Sequence, residues 1–170
     1  MTTIAWDGTT LAADRLAVRD YTRYQVTKIF RFPDGRLFGA SGEHTVCTIM
    51  RDWLSKPQTE RGPRPAIQSD KEYSAHCLEI VSLNEVYFHN HLGRVQIEDR
   101  FAVSGSGEQF ALAALYCGRT AREAVELASK LDNGTGNGID TLDLGPNSTA
   151  LLSALGTTDK LVSLLREMPK

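Results

Sequence analysis

The chain opens on two β-rich arms, residues 3–6 and 9–13, separated by Asp7-Gly8, a dipeptide suited to a two-residue hairpin turn. Residues 16–24 scatter charge without a period and read as a connection. Residues 26–32 and 36–41 read as strands flanking Pro33-Asp34-Gly35, where fixed φ, an Asx bond and a permissive glycine make a turn. From 42 to 55 the spacing becomes helical, with Val46, Ile49, Met50, Trp53 and Leu54 on one stripe. Residues 56–68 carry Pro57, Pro63 and Pro65 and read as a loop.

Two strands follow, 73–82 and 85–91, around Leu83-Asn84, and a third, 94–98, follows Leu92-Gly93. A short apolar strand, 101–103, runs into Ser104-Gly105-Ser106-Gly107. Residues 108–117 predict a helix with Phe110, Ala111, Ala114 and Leu115 facing in. Thr120 and Glu123 form a capping box for a second helix, 121–131, that buries Ala124, Val125, Leu127, Ala128 and Leu131. A glycine-rich turn, 132–138, leads to the strand 139–144, and 159–168 predicts a C-terminal helix. Hairpins dominate, so the sheets are expected to be mostly antiparallel with helices on their outer faces; two stacked sheets between helix layers satisfy this.

Composition narrows the classes. At 170 residues the chain suits one domain, residues 1–170. Hydrophobic residues are 41% and charged residues 24%, as in ordinary globular proteins. A net charge of -2 with no long basic run argues against nucleic acid or an anionic membrane as the main partner. No apolar run approaches the ~18 residues of a membrane span, and the N-terminus lacks a secretory pattern. Cys47, Cys77 and Cys117 form no CxxC pair and no disulfide framework, which points to a reducing cytoplasm and to three small buried apolar residues.

The chemistry begins at Thr2, directly behind Met1. Removing Met1 would put a nucleophilic hydroxyl and a basic α-amine on one residue. That amine has an ordinary pKa of roughly 7.7–8, so a useful fraction is neutral near pH 7. Asp14 ends the second arm, and Lys28 heads the run Lys28-Ile29-Phe30-Arg31-Phe32. This constellation resembles the proteasome β-type subunits and the bacterial HslV peptidase, which are N-terminal nucleophile (Ntn) hydrolases. The resemblance covers roughly 2–55 and 73–144. It implies an α+β fold, an αββα four-layer sandwich of two mostly antiparallel sheets between helix layers. It also implies a threonine endopeptidase of a self-compartmentalising, homo-oligomeric assembly of stacked rings. Unfolded protein or peptide would be its substrate and an ATPase unfoldase its partner, with no cofactor and no metal.

The same resemblance assigns roles. Thr2 is the nucleophile, Lys28 favours its neutral amine, and Asp14 holds Lys28 charged and aimed. Gly39 matches the glycine whose N–H meets the oxyanion. Ser106, in Gly105-Ser106-Gly107, and the pair Asp132 and Thr135 would orient the amine. The pocket for the residue before the scissile bond maps to Ala17, Val26, Phe30, Leu37 and Ser41, none of them charged, which implies cleavage after apolar residues. Two stretches depart from the family: 56–72 cannot supply its second long helix, and the tail 145–170 diverges. A catalytically silent ring or scaffold subunit is the alternative, because an attached Met1 blocks the amine.

Other chemistries fit less well. Val103 stands where the G-x-S-x-G elbow needs its first glycine. Gly134, Gly136 and Gly138 follow a helix, not a strand, so they are no dinucleotide fingerprint. His89 and His91 have metal-compatible spacing but no third ligand at a telling distance, and read as polar strand-end residues.

Overall fold

The computed structural model describes residues 2–67 and 74–145; the helix expected over 159–168 lies outside the described residues. Strands β1 (Thr3–Trp6) and β2 (Thr10–Asp14) pair antiparallel around Asp7-Gly8, with Ile4 opposite Ala13 and Trp6 opposite Leu11. Asp7 fixes that turn by accepting the Thr9 and Thr10 N–H groups. On the far side of β1 lies β10 (Ala102–Gly105), and on the far side of β2 lies β11 (Ile139–Asp143), both antiparallel. The N-terminal strand is therefore central in its sheet.

A second antiparallel sheet contains, in spatial order, β5 (Ile29–Arg31), β6 (Leu37–Gly42), β7 (Ala75–Ser82), β8 (Glu85–Asn90) and β9 (Gly93–Ile97). Strand alternation gives each sheet two faces. Ile4, Trp6, Leu11 and Ala13 of the first sheet share one core with Ile29, Leu37, Leu78, Ile80 and Val86 of the second. Fully burying one such leucine or isoleucine is worth about 1.5–3 kcal/mol.

The other faces carry the helices. Helices α2 (Glu108–Tyr116) and α3 (Ala121–Leu131) cover β1 and β2. That contact is built from alanines, Ala5 and Ala12 against Ala111, Ala114, Ala124 and Ala128, which let backbones come close. The expected capping box of Thr120 and Glu123 is present. Phe110, Leu127 and Leu131, expected to face in, are 38%, 39% and 55% exposed; Ala111, Ala114 and Leu115 of α2 and Ala124, Val125 and Ala128 of α3 are buried as expected. Helix α1 (His44–Leu54) covers β6 and β7 through Met50 and Leu54, with Ile49 turned outward.

One element is new. Residues 16–24, expected as a connection, form a separate hairpin of β3 (Leu16–Arg19) and β4 (Thr22–Gln25). Its strands are mostly exposed, so no apolar alternation marks them. Its turn uses Asp20 at φ 54, a conformation Asp tolerates.

His89 does lie next to the end of β8, as expected, but it is 1% exposed and bonds Glu79 through Nε2 at 2.9 Å. Of the cysteines, all expected to be buried, Cys77 is buried and Cys47 half-buried, but Cys117 is exposed, because it stands at the C-cap of α2; all three are free. No helix among the described residues is long and apolar enough to cross a membrane.

Candidate active site

The start of β1 is held from both sides. Thr3 lies opposite Gly105, and its N–H donates to Asp14 Oδ1 at 2.8 Å. A side chain on Gly105, at φ +107, would overlap the Thr2 carbonyl, so glycine is required where β10 passes the N-terminus.

Asp14 is fully buried at the end of β2. Besides Thr3, it accepts the N–H groups of Leu16 and Gly136 on Oδ2, each at 3.0 Å. Lys28 Nζ donates to Asp14 Oδ1 at 2.8 Å and to the Leu16 carbonyl at 2.6 Å. Burial draws the Lys28 ammonium below the usual lysine range, and the charge and hydrogen bond of Asp14 oppose that shift. The result is a desolvated lysine aimed by a fixed carboxylate.

A second cluster meets Thr2 from the α2 side. The Thr2 N–H donates to Ser106 Oγ at 3.3 Å. This nitrogen is the amide of the Met1–Thr2 bond, and it stands in for the α-amine that removing Met1 would create. Ser106 and Thr135 both donate to Asp132 Oδ2, at 2.7 and 2.6 Å, and the Gly134 N–H donates to Oδ1 at 3.0 Å. Burial works to raise Asp132, but these three bonds outweigh it and hold the carboxyl below its ordinary range.

Thr2 and Lys28 open onto a cavity of about 900 Å³. The β3–β4 hairpin supplies one wall with Ala17, Arg19 and Tyr24, and α1 supplies the other with His44, Cys47 and Arg51. Val26, Phe30, Phe38 and Ala40 add apolar surface. Arg51 stacks over Phe30, 4.8 Å from its centroid. Burial pushes the Cys47 thiol up to about 12, with Glu43 adding to the shift, so it is an inert part of the wall.

The structure thus brings Thr2, Asp14 and Lys28 together, and Ser106, Asp132 and Thr135 beside them. Ala17, Val26 and Phe30 line the cavity. Leu37, Ser41 and Gly39 do not, and one cause accounts for all three. Phe30 pairs with Phe38 across β5 and β6, so Phe38, Ala40 and Gly42 share its face. Leu37 points into the inter-sheet core, and Ser41 bonds Ser104 at 2.7 Å. A side chain on Gly39 would meet Ile4 and Ile29 at 3.2 Å, so its smallness serves packing between the sheets. Sequence reasoning missed Phe38, Cys47 and Arg51. Counting residues across the Pro33–Gly35 turn could have found Phe38. The i, i+4 spacing of Cys47 and Arg51 on α1 was a further signal.

Neither a family model nor a curated protein matches the sequence. Solved structures do. The chain is similar to Thiobacillus denitrificans BPH in complex with epoxomicin, at 20% identity and TM-score 0.62, over 85% of this chain and 99% of that one. A second structure of Thiobacillus denitrificans BPH matches at 20% identity and TM-score 0.62, over 86% and 99%. The eukaryotic HslV from Trypanosoma brucei matches at 19% identity and TM-score 0.64, over 85% and 99%. The chain has the fold of these proteasome-like structures.

Proposed function

We propose that the protein is a threonine endopeptidase whose nucleophile is Thr2, exposed by removal of Met1. The carrying observation is the buried Lys28–Asp14 pair at 2.8 Å, on a cavity that Thr2 and Lys28 both line. An exposed ion pair would say little; a buried one is costly to build, and this cation lines the same cavity as a residue that carries a hydroxyl nucleophile. The likeness in fold to HslV and BPH, and the sequence resemblance to Ntn hydrolases, support the same reading.

In this mechanism Lys28 favours the neutral amine of Thr2 and stabilises charge on its oxygen. Thr2 Oγ attacks the peptide carbonyl, and the α-amine takes the proton and returns it to the leaving amine. Ser106, Asp132 and Thr135 orient that amine. A backbone N–H of the β6 stretch walling the cavity meets the oxyanion, a role that the sequence resemblance gives to Gly39. Water then hydrolyses the acyl-enzyme.

The finer architecture belongs to this reading. Helices α2 and α3, the two sheets and α1 make the four layers of an αββα sandwich, in a single domain. The sequence resemblance supports stacked homo-oligomeric rings, an ATPase partner, peptide or unfolded-protein substrates and a cytoplasmic location.

The test combines intact mass with one substitution. Protein from its native host should lack one methionine and hydrolyse short fluorogenic peptides, and Thr2→Ala should abolish turnover. Full retention of Met1, or Thr2→Ala activity within about tenfold of wild type, would favour the silent scaffold.

A further inference from the structure

Two carboxylates organise the candidate site, Asp14 against Lys28 and Asp132 against Ser106. Thr3 reaches both clusters. Its N–H donates to Asp14, and its hydroxyl lies 2.6 Å from Thr135 Oγ1. Alternation along β1 explains the second contact, since Ile4 and Trp6 face the other sheet and Thr3 therefore faces the helix side.

Proton counting fixes the direction of that bond. Thr135 has one hydroxyl proton and gives it to Asp132 Oδ2 at 2.6 Å, so its oxygen accepts from Thr3. Ser106 also gives its proton to Asp132, at 2.7 Å, and so meets the Thr2 nitrogen as an acceptor. Donation therefore runs from Thr3 to Thr135 to Asp132, and separately from Thr2 to Ser106 to the same oxygen. Both runs converge on one carboxylate.

The arrangement is built into the fold. Thr3 is fully buried, so its hydroxyl is costly unless bonded. A side chain on Gly107, at the start of α2, would overlap the Thr3 hydroxyl and come within 3.0 Å of Thr135 Oγ1. Glycine there leaves the space in which the two hydroxyls meet.

Resting on the peptidase reading, we propose that Thr3 is a positioning residue for the N-terminal nucleophile. Its hydroxyl fixes Thr135, and through it Asp132 and Ser106. Ser106 then holds one N–H of the free Thr2 amine and leaves its lone pair facing the Thr2 hydroxyl. Thr3 touches no substrate and acts only through this chain.

The experiment measures kcat and KM on a short fluorogenic peptide ending in leucine, with Met1 removal verified by mass. Thr3→Val keeps the shape and deletes the hydroxyl. It should lower kcat by about tenfold to a hundredfold and leave KM within about twofold. Thr3→Ser, which keeps the hydroxyl, should restore kcat to within about threefold. In a Ser106→Ala background, adding Thr3→Val should cost less than about twofold, because the route is already cut. A general packing defect would persist in that background and would not be rescued by serine. If valine prevents folding, Gly107→Ala tests the same junction from the other side and should also lower kcat. Wild-type kcat in Thr3→Val, or its full effect persisting in the Ser106→Ala background, would overturn the proposal while leaving the peptidase reading intact. No turnover by the wild-type chain with its free threonine would instead remove the peptidase reading, and this role with it.

Discussion

Asp14 and Glu79 are both buried carboxylates, 0% and 1% exposed, and they are satisfied in opposite ways. Among the described residues, Asp14 takes three backbone N–H groups, from Thr3, Leu16 and Gly136, and a single cation, Lys28. Among the described residues, Glu79 takes only side chains. Arg36 Nη1 bonds Oε1, His89 Nε2 bonds Oε2 at 2.9 Å, and Arg94 and Arg61 stand at 3.6 and 3.9 Å. Backbone donors cannot swing away, so the position of Asp14 is set by the strands and its charge goes to one cation in one direction. Glu79 shares its charge among several arginines and aims none of them.

The surroundings of Glu79 show what it does instead. Arg36 and Arg61 both donate to the Leu54 carbonyl at the end of α1, at 2.8 Å each, where the last carbonyls lack helical partners. Trp53 Nε1 donates to the Gly62 carbonyl, and Arg64 to the Asn90 carbonyl. The proline-bearing segment after α1 is thereby tied over β7 and β8, at the place in the chain where the family it resembles packs a second long helix that residues 56–72 cannot supply. Polar cross-links take the place of that packing.

The largest expected effect comes from breaking the aimed pair. Lys28→Met should lower peptidase kcat by about a thousandfold or more, with the protein still folded. Full activity in this variant, measured on the same fluorogenic peptide, would show that the cation is structural and that the two carboxylates are alike. Melting curves run beside the kinetics separate lost chemistry from lost fold.

Glu79→Ala should do the reverse. It leaves buried His89 without its carboxylate and Arg36, among the described residues, with the Asp34 carboxylate alone, at 2.7 Å, and breaking a buried pair from one side costs about 3–5 kcal/mol. Denaturant unfolding should show that loss, while kcat per folded molecule stays near wild type. A large fall in kcat with unchanged stability would mean that this network reaches the active site.

The same carboxylate sets an acid dependence. Burial acts to raise Glu79, but the bonds and charges of His89 and Arg36 outweigh it and hold the carboxyl below the usual glutamate range. A carboxyl whose folded pKa lies below its unfolded value stabilises the fold above the unfolded pKa, about 4.3. That stability is lost as pH falls through the folded value. Below about pH 4 wild type should therefore lose stability more steeply than Glu79→Gln, read as the pH slope of the denaturant midpoint. Parallel slopes would show that Glu79 carries no such linkage.

The comparison also separates what was legible in the sequence. Asp7-Gly8, the Thr120 capping box and both alanine-rich helices follow from local rules. Asp14 and Lys28 were legible through their order behind Thr2. The face of β6 was not, because register across a short turn decides it and a shift of one residue swaps Leu37 for Phe38. The Glu79 network joins residues from 36 to 94 with no common spacing, so no motif announces it. The β3–β4 hairpin hides for lack of a buried face. Thr3 was in view from the start, but its partner Thr135 stands 132 positions later.

The smallest effect concerns which peptides are cut. Ala17, Val26, Phe30, Phe38 and Ala40 give the cavity an apolar lining, and burying substrate surface there gains about 25 cal/mol per Å². Cleavage after medium or large apolar residues should therefore dominate a peptide library. Charge enters from Arg19, Glu43 and Arg51, which also line the cavity. Arg51 is the informative one. It lies over Phe30, yet its Nε and Nη2 both donate to Asp52 Oδ1, at 3.0 and 2.8 Å, which offsets its charge. Its side chain is 32% exposed, so its remaining pull on a substrate carboxylate belongs with partly solvated pairs, about 0.2–1 kcal/mol. That is about fivefold at most. Acidic residues before the cut should then be disfavoured, but less than basic ones, and Arg51→Ala should shrink that gap by up to about fivefold. The variant also uncovers Phe30, which should strengthen the preference for large apolar residues. A library profile led by Asp or Glu would mean that Arg51 or Arg19 governs the cavity and that its apolar lining does not.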